Sequence, residues 1–217
     1  MSERPETADE QRDLAEPDQP EGAPEDVEEL DEETRERRNL ALAQVRTFGD
    51  PVLNSVASPV ESFDELLLAD AEQMIAIMRD AVGVGLAASQ LGVMRRLLVF
   101  QAGPDATPRA IANPDLEWAS EQTAEAEEGC LSLPGIVVDV ERALHARVRG
   151  QNMQGEPVLL EASGLEARVL QHEIDHLDGV LTLARTSREQ RRAARRALRE
   201  ERSFSPEDIA EPAGAEA

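Results

Sequence analysis

Ser-Gly-Leu-Glu-Ala-Arg-Val-Leu-Gln-His-Glu-Ile-Asp-His-Leu-Asp-Gly, residues 163 to 179, spells out a helix with its own start and stop signals. Ser163 and Glu166 stand at the spacing of a capping box, in which each side chain satisfies an otherwise unpaired N–H of the first turn. Gly179 is the favoured residue just past a helix end, because it enters the left-handed region without a Cβ clash. Leu165, Val169, His172 and His176 lie at i, i+4, i+7 and i+11 and so share one face. Two histidines therefore continue an apolar, core-facing stripe where a purely structural helix would place leucines.

Outward from this helix, the preceding chain alternates apolar and polar residues with period two. Leu97 to Gln101, Ala110 to Ala112, Ile136 to Val140 and Leu144 to Val148 read as strands, and Asn152 to Gly155 reads as a hairpin turn into Val158 to Leu160. Further upstream, Ser62 and Glu65 repeat the capping-box spacing, and Leu67, Ala71, Met74 and Met78 recur at helical intervals, which predicts a helix from about 63 to 80. Gly83 to Gln90 reads as a close-packed loop. Strands joined by short turns, with helices at either end of them, indicate an α+β domain.

Composition bounds the rest. Apolar residues make up 41% of the 217 and aromatics 2%, so the core must be built from Leu, Val, Ile, Ala and Met. Of the formal charge of −23, residues 1 to 39 carry −11, from 16 acidic and 5 basic side chains. That segment has too few apolar positions to offset the entropy of ordering and reads as a disordered acidic tail, with 203 to 217 a shorter version of it. The expected organisation is thus a tail (1–39), a catalytic domain (40–187), an Arg-rich helix (188–202) and a second tail (203–217). So acidic a chain is repelled by phosphate backbones, which disfavours DNA as a partner. A single cysteine, no secretory signal and no apolar run of about 20 residues point to a cytoplasmic protein that does not enter membranes.

The chemistry concentrates in His172-Glu173-Ile174-Asp175-His176. Histidines one helical turn apart can chelate one ion while the glutamate polarises a bound water. Coincidence of two core histidines at this spacing sits poorly with a chain that has three histidines in all. A catalytic ion needs a third protein ligand and an open position. The long metzincin pattern would require histidine at position 182, which is Thr182, and a thermolysin-like glutamate would fall in an Arg/Ala run. The remaining candidates are Cys130 and His145.

Three blocks together carry a family resemblance. Gly-Val-Gly-Leu-Ala-Ala-Ser-Gln at 83–90, Glu-Gly-Cys-Leu-Ser at 128–132 and Gln-His-Glu-Ile-Asp-His-Leu at 171–177 resemble, in order and spacing, the signature motifs of peptide deformylases. The similarity extends from about Val45, including Gly49-Asp50-Pro51-Val52-Leu53, to about Arg199. It implies antiparallel sheets packed around a central metal-binding helix, and Cys130, His172 and His176 as ligands of one divalent metal, Fe(II), with zinc, nickel or cobalt able to take its place. The implied reaction removes the formyl group from the N-terminal formylmethionine of nascent peptides. By the same resemblance Glu173 moves protons, while the Gln90 side-chain amide and the Leu131 backbone N–H steady the oxyanion. Backbone groups of Val84, Gly85 and Gly129 hold the peptide, and an apolar pocket near Leu165 and Val169 takes the methionine. Some members dock on the ribosome through a C-terminal helix, which makes Arg188 to Arg202 a candidate RNA contact. A general metallopeptidase lacks a recognised third ligand here, and a non-catalytic metal-binding protein would need neither Glu173 nor Gln90.

Overall fold

A computed structural model of the protein describes residues 30 to 210. Its first element, α1 (Glu32–Leu42), corrects the expected tail over 1–39, of which residues 1 to 29 lie outside the described residues. Asp31 accepts a hydrogen bond from the Thr34 N–H at 2.9 Å, and Glu32 and Glu33 occupy the first turn, where the helix dipole favours acids. Ala41 is buried, and with Leu42 and Val45 it joins the core under α2 (Glu65–Asp80). Residues whose composition suggested disorder are thus the right residues for a helix start. In α2 the cap is Asp64, which accepts from the Leu67 N–H at 3.0 Å, so Ser62 is not the capping residue.

Gly83 to Gln90 is more regular than a loop. Gly85–Ala87 forms β1, and a short 3-10 turn covers Ala88–Leu91. Next come β2 (Leu97–Phe100), β3 (Arg109–Ala119), β4 (Thr123–Gly129), β5 (Val137–Ala143), β6 (His145–Gln151) and β7 (Pro157–Ser163). Five strands form an antiparallel sheet in the order β1-β2-β3-β6-β7, and β4 and β5 pair separately as a two-stranded sheet. β3 runs well past Ala112 because the chain absorbs Asn113-Pro114 in a register shift. Asn113 adopts a left-handed φ of 52°, and its side chain bonds both the N–H and the C=O of Val60.

The last helices are α3 (Gly164–Leu177), α4 (Arg188–Arg199) and α5 (Glu207–Ala210). One face of the large sheet packs on α2 through Leu86, Leu97, Val99 and Ala112. The other packs on α3 through Leu98, Phe100, Ile111, Val148 and Leu160, against Val169, Leu170, Ile174 and Leu177. Each such fully buried side chain contributes about 1.5–3 kcal/mol. α3 also touches β5, so it lies between the two sheets, in the expected α+β arrangement. Beneath α4, Ala194 and Ala197 pack on Leu133, Ile136, Val138 and Val140. Phe204 joins that cluster, its backbone bonded to Val137 and Gly135, so the segment read as a tail from 203 onward is anchored at its start. The buried phenyl ring, with Ile209 packed against the same cluster, supplies the apolar area that holds this short segment.

Candidate metal centre and active site

α3 brings its two histidines to the sheet-facing side, with His176 2% exposed and its Nε2 3.1 Å from His172 Nε2. β4 ends at Gly129, and the next residue places Cys130 Sγ 3.2 Å from His176 Nε2. The three donor atoms lie within 4.8 Å of one another. His145, the alternative third ligand, stands apart, its Nδ1 paired with Ser163 Oγ at 2.8 Å on an exposed part of the sheet. That pairing also occupies the hydroxyl expected to cap α3, and Ser163 makes no side-chain cap.

The donor set fits a divalent ion. Two imidazole nitrogens about 2.0–2.1 Å from a common tetrahedral ion would themselves lie about 3.3 Å apart, close to the separation seen. His172 Nδ1 meets Glu128 Oε2 at 2.9 Å, which leaves its Nε2 lone pair to face the other two donors. Burial alone would raise the Cys130 thiol, but the adjacent His176 and His172 imidazoles reverse this and hold it well below the ordinary thiol range. A thiolate is the form in which cysteine binds metals.

Glu173 is buried over the same space. Burial pushes its carboxyl above the usual range, partly opposed by His172 and His176, and its Oε2 has no hydrogen-bond partner. Gly85 is what makes room for it, since a Cβ at that position would sit 2.4 Å from Glu173 Oε1. The glycine is therefore required by a side chain of the protein itself.

Gln90 is 1% exposed, and its Oε1 accepts the Ala87 N–H at 2.9 Å. A backbone N–H can only donate, so this bond fixes which end of the amide is oxygen. The NH2 end is then aimed at Ser132 Oγ, 3.2 Å away, and at Cys130 Sγ, 3.8 Å away. The Leu131 N–H makes no hydrogen bond among the described residues. The Val84 carbonyl already accepts the Gln101 N–H at 2.8 Å, while Gly85 and Gly129 lie on strands that end their sheets, each with one edge unpaired. Gly83 abuts Leu131, so the residues leading into β1 and out of β4 lie side by side. Leu165 is half-buried and Val169 buried on α3, and neither lines the cavity of about 330 Å³ between Leu68, Phe100, Arg109 and the 152–154 turn.

Glu128, within the Glu-Gly-Cys motif, takes a role that the motif does not reveal, and so do Arg142, Arg168 and Arg185 outside it. Arg142 grips Glu128 through Nε at 2.9 Å and a second nitrogen at 3.0 Å, and reaches Asp175 at 2.6 Å, all buried. Arg185 pairs with Asp175 from the outside. Burial opposes charge on Glu128, yet its bonds to His172 and Arg142 hold it far below the usual carboxylate range. The one signal available was a buried-strand position, Arg142, occupied by arginine within an otherwise apolar alternation.

Comparison with known proteins agrees with this geometry. The polypeptide deformylase family model matches residues 42–192. A peptide deformylase of Acidothermus cellulolyticus is 48% identical over 161 residues, 74% of this chain and 88% of that protein. One from Thermotoga neapolitana is 47% identical over 157 residues, 72% of this chain and 94% of the relative. Among solved structures, the Thermotoga maritima peptide deformylase matches with a TM-score of 0.64 at 48% identity, covering 66% of this chain and 96% of that one. With its three motifs converging on one centre and most of its length matched, the chain belongs to the polypeptide deformylase family.

Proposed function

We propose that Cys130, His172 and His176 hold one divalent ion, Fe(II) in the cell, and that Glu173, Gln90 and the Leu131 N–H act on a formylated peptide beside it. As a member of its family the chain is a metal-dependent hydrolase that removes the formyl group from the N-terminal formylmethionine of newly made polypeptides and releases formate. The observation that carries the residue assignment is the convergence of one thiol and two imidazoles beside a buried carboxylate with an unpartnered oxygen.

A divalent ion held by Cys130, His172 and His176 would supply Lewis acidity at this site and make a nearby water more acidic. Glu173 would take a proton from a water beside the formyl group, and its carboxyl, raised by burial, would return that proton to the amine nitrogen as it leaves. As the water oxygen bonds to the formyl carbon, and until the C–N bond breaks, the Gln90 amide and the Leu131 N–H would meet the charge that develops on the formyl oxygen. Formate and a free amine result. The free edges at Gly85 and Gly129 offer backbone groups to an extended peptide. Thiolate and imidazole accept iron and zinc alike, so Fe(II) rests on the family's usual metal, with zinc, nickel and cobalt as competitors.

The test is anaerobic purification with elemental analysis, followed by formate release from a formyl-Met peptide beside an unformylated peptide cleavable internally. About one metal per chain and formate release are expected, with Glu173→Gln keeping the metal and losing most turnover. Internal cleavage without formate would favour a general metallopeptidase.

A second reading concerns α4. Arg188, Arg192, Arg195 and Arg199 are exposed at i, i+4, i+7 and i+11, opposite buried Ala194 and Ala197, and none pairs with a carboxylate among the described residues. We read this stripe as a contact for ribosomal RNA, which would place the enzyme in the cytoplasm where its substrate emerges. No helix among the described residues is long and apolar enough to cross a membrane.

A further inference from the structure

A carboxylate has about four lone-pair sites, and Glu128, buried at the end of β4, has all of them filled. Its Oε1 accepts from Arg142 Nε at 2.9 Å and from Arg168 at 2.8 Å. Its Oε2 accepts from Arg142 at 3.0 Å and pairs with His172 Nδ1 at 2.9 Å. Arg168 and His172 are one turn apart on α3, so a single helix grips the carboxylate with two arms while Arg142 grips it from β5. Arg168 is tied down in turn, bonding the Val140 carbonyl at 2.8 Å and the Ala124 carbonyl at 2.6 Å. It therefore touches β4, β5 and, through Glu128, the imidazole of His172, but no reacting atom.

We propose that Arg168 is a positioning residue for the metal centre: by filling the last site on Glu128 it locks that carboxylate in the rotamer that orients the His172 ring. The proposal rests on His172 being a ligand, and extends that reading two layers outward, through Glu128. Without Arg168, Glu128 Oε1 keeps a single donor, and the carboxylate is held only by Arg142 and by the His172 ring it orients. The Nδ1 bond then loosens, and with it the direction of the Nε2 lone pair. A direct partner of a metal-bound histidine, here Glu128, typically accounts for about 10- to 100-fold in metal affinity, so the effect through Arg168 is expected at the lower end, about tenfold. A lysine in its place would offer a point charge without the planar fork that serves three acceptors at once.

Stitching the two strands is the competing role for Arg168, and it predicts a different result. The experiment uses the full chain as wild type, Arg168→Met and Arg168→Lys, each loaded with Co(II). It measures the Co(II) dissociation constant by chelator competition, the visible ligand-field spectrum and the melting temperature. Arg168→Met is expected to bind Co(II) about tenfold more weakly with shifted ligand-field bands, and Arg168→Lys to lie between it and wild type. Lower melting temperature with unchanged affinity and spectrum would overturn the proposal and leave Arg168 a strand tie. If Arg168→Met does not fold, Arg168→Lys decides alone, and a wild-type spectrum and affinity in that variant would also overturn it. Should wild type itself fail to bind Co(II) in these three residues, the assignment of His172 fails first, which the His172→Ala control reveals.

Discussion

A methyl group added at Gly85 would meet Glu173 Oε1 at 2.4 Å and its Cδ at 2.8 Å, in a region where the carboxylate is enclosed. Something must move, and the mobile partner is the side chain proposed to transfer protons. Displacement on the order of 1 Å can cost a hundredfold in rate, so Gly85→Ala should lower kcat by about 10- to 100-fold. Metal content should stay at the wild-type level, because the three atoms nearest the added methyl all belong to Glu173. A near-normal kcat would show that Glu173 has room the packing does not suggest. Cys130→Ala separates the other function of the site. It removes one of three donors, so metal retention through dialysis should collapse along with turnover, whereas Gln90→Ala should keep the metal and lose on the order of a hundredfold in kcat. A Cys130→Ala protein with full metal content would exclude Cys130 as a ligand.

At the scale of elements, what the sequence made legible was whatever its periodicity records. α3 announces itself by Ser163, Gly179 and a stripe at 3.6-residue spacing, and α2 by the same spacing. β4 escaped notice because Thr-Ala-Glu-Ala-Glu-Glu-Gly lacks β-branched weight. It is a strand because β5 pairs with it and because Arg142 and Arg168 neutralise Glu128, tertiary effects that override propensity. The convergence of Cys130 with His172 and His176 depends on that pairing too, so spacing alone left His145 open. α1 escaped because acids at a helix start look like acids in a tail. Its packing makes a checkable claim: deleting residues 1 to 42 removes Ala41 and Leu42 from the core over α2. Loss of about 2 kcal/mol of burial should lower the melting temperature by roughly 4–8 °C while sparing turnover of a short formyl-Met peptide. An unchanged melting temperature would show that α1 does not contribute to the core.

At the scale of the whole molecule, the formal charge of −23 coexists with a strip of four exposed arginines that pair with no carboxylate among the described residues. The pairs 188/192 and 195/199 are helical neighbours, and like charges at that spacing destabilise a helix by roughly 0.2–0.5 kcal/mol each. A polyanion laid along the strip removes that repulsion, while the acidic remainder of the surface opposes any broader approach to phosphate. The contact should therefore be narrow, involving about four phosphates. Each releases roughly 0.7–0.9 of a counterion, so raising monovalent salt from 50 to 200 mM should weaken ribosome binding by about 50- to 150-fold. Replacing Arg188, Arg192, Arg195 and Arg199 together by glutamate should abolish co-sedimentation with ribosomes at low salt. The α4 anchor, Ala194 and Ala197, is untouched by those changes, so the variant should keep wild-type kcat and KM on a short formyl-Met peptide. Equal co-sedimentation of variant and wild type would rule out the strip as the docking surface, and a loss of short-peptide turnover would mean that α4 supports the catalytic domain itself.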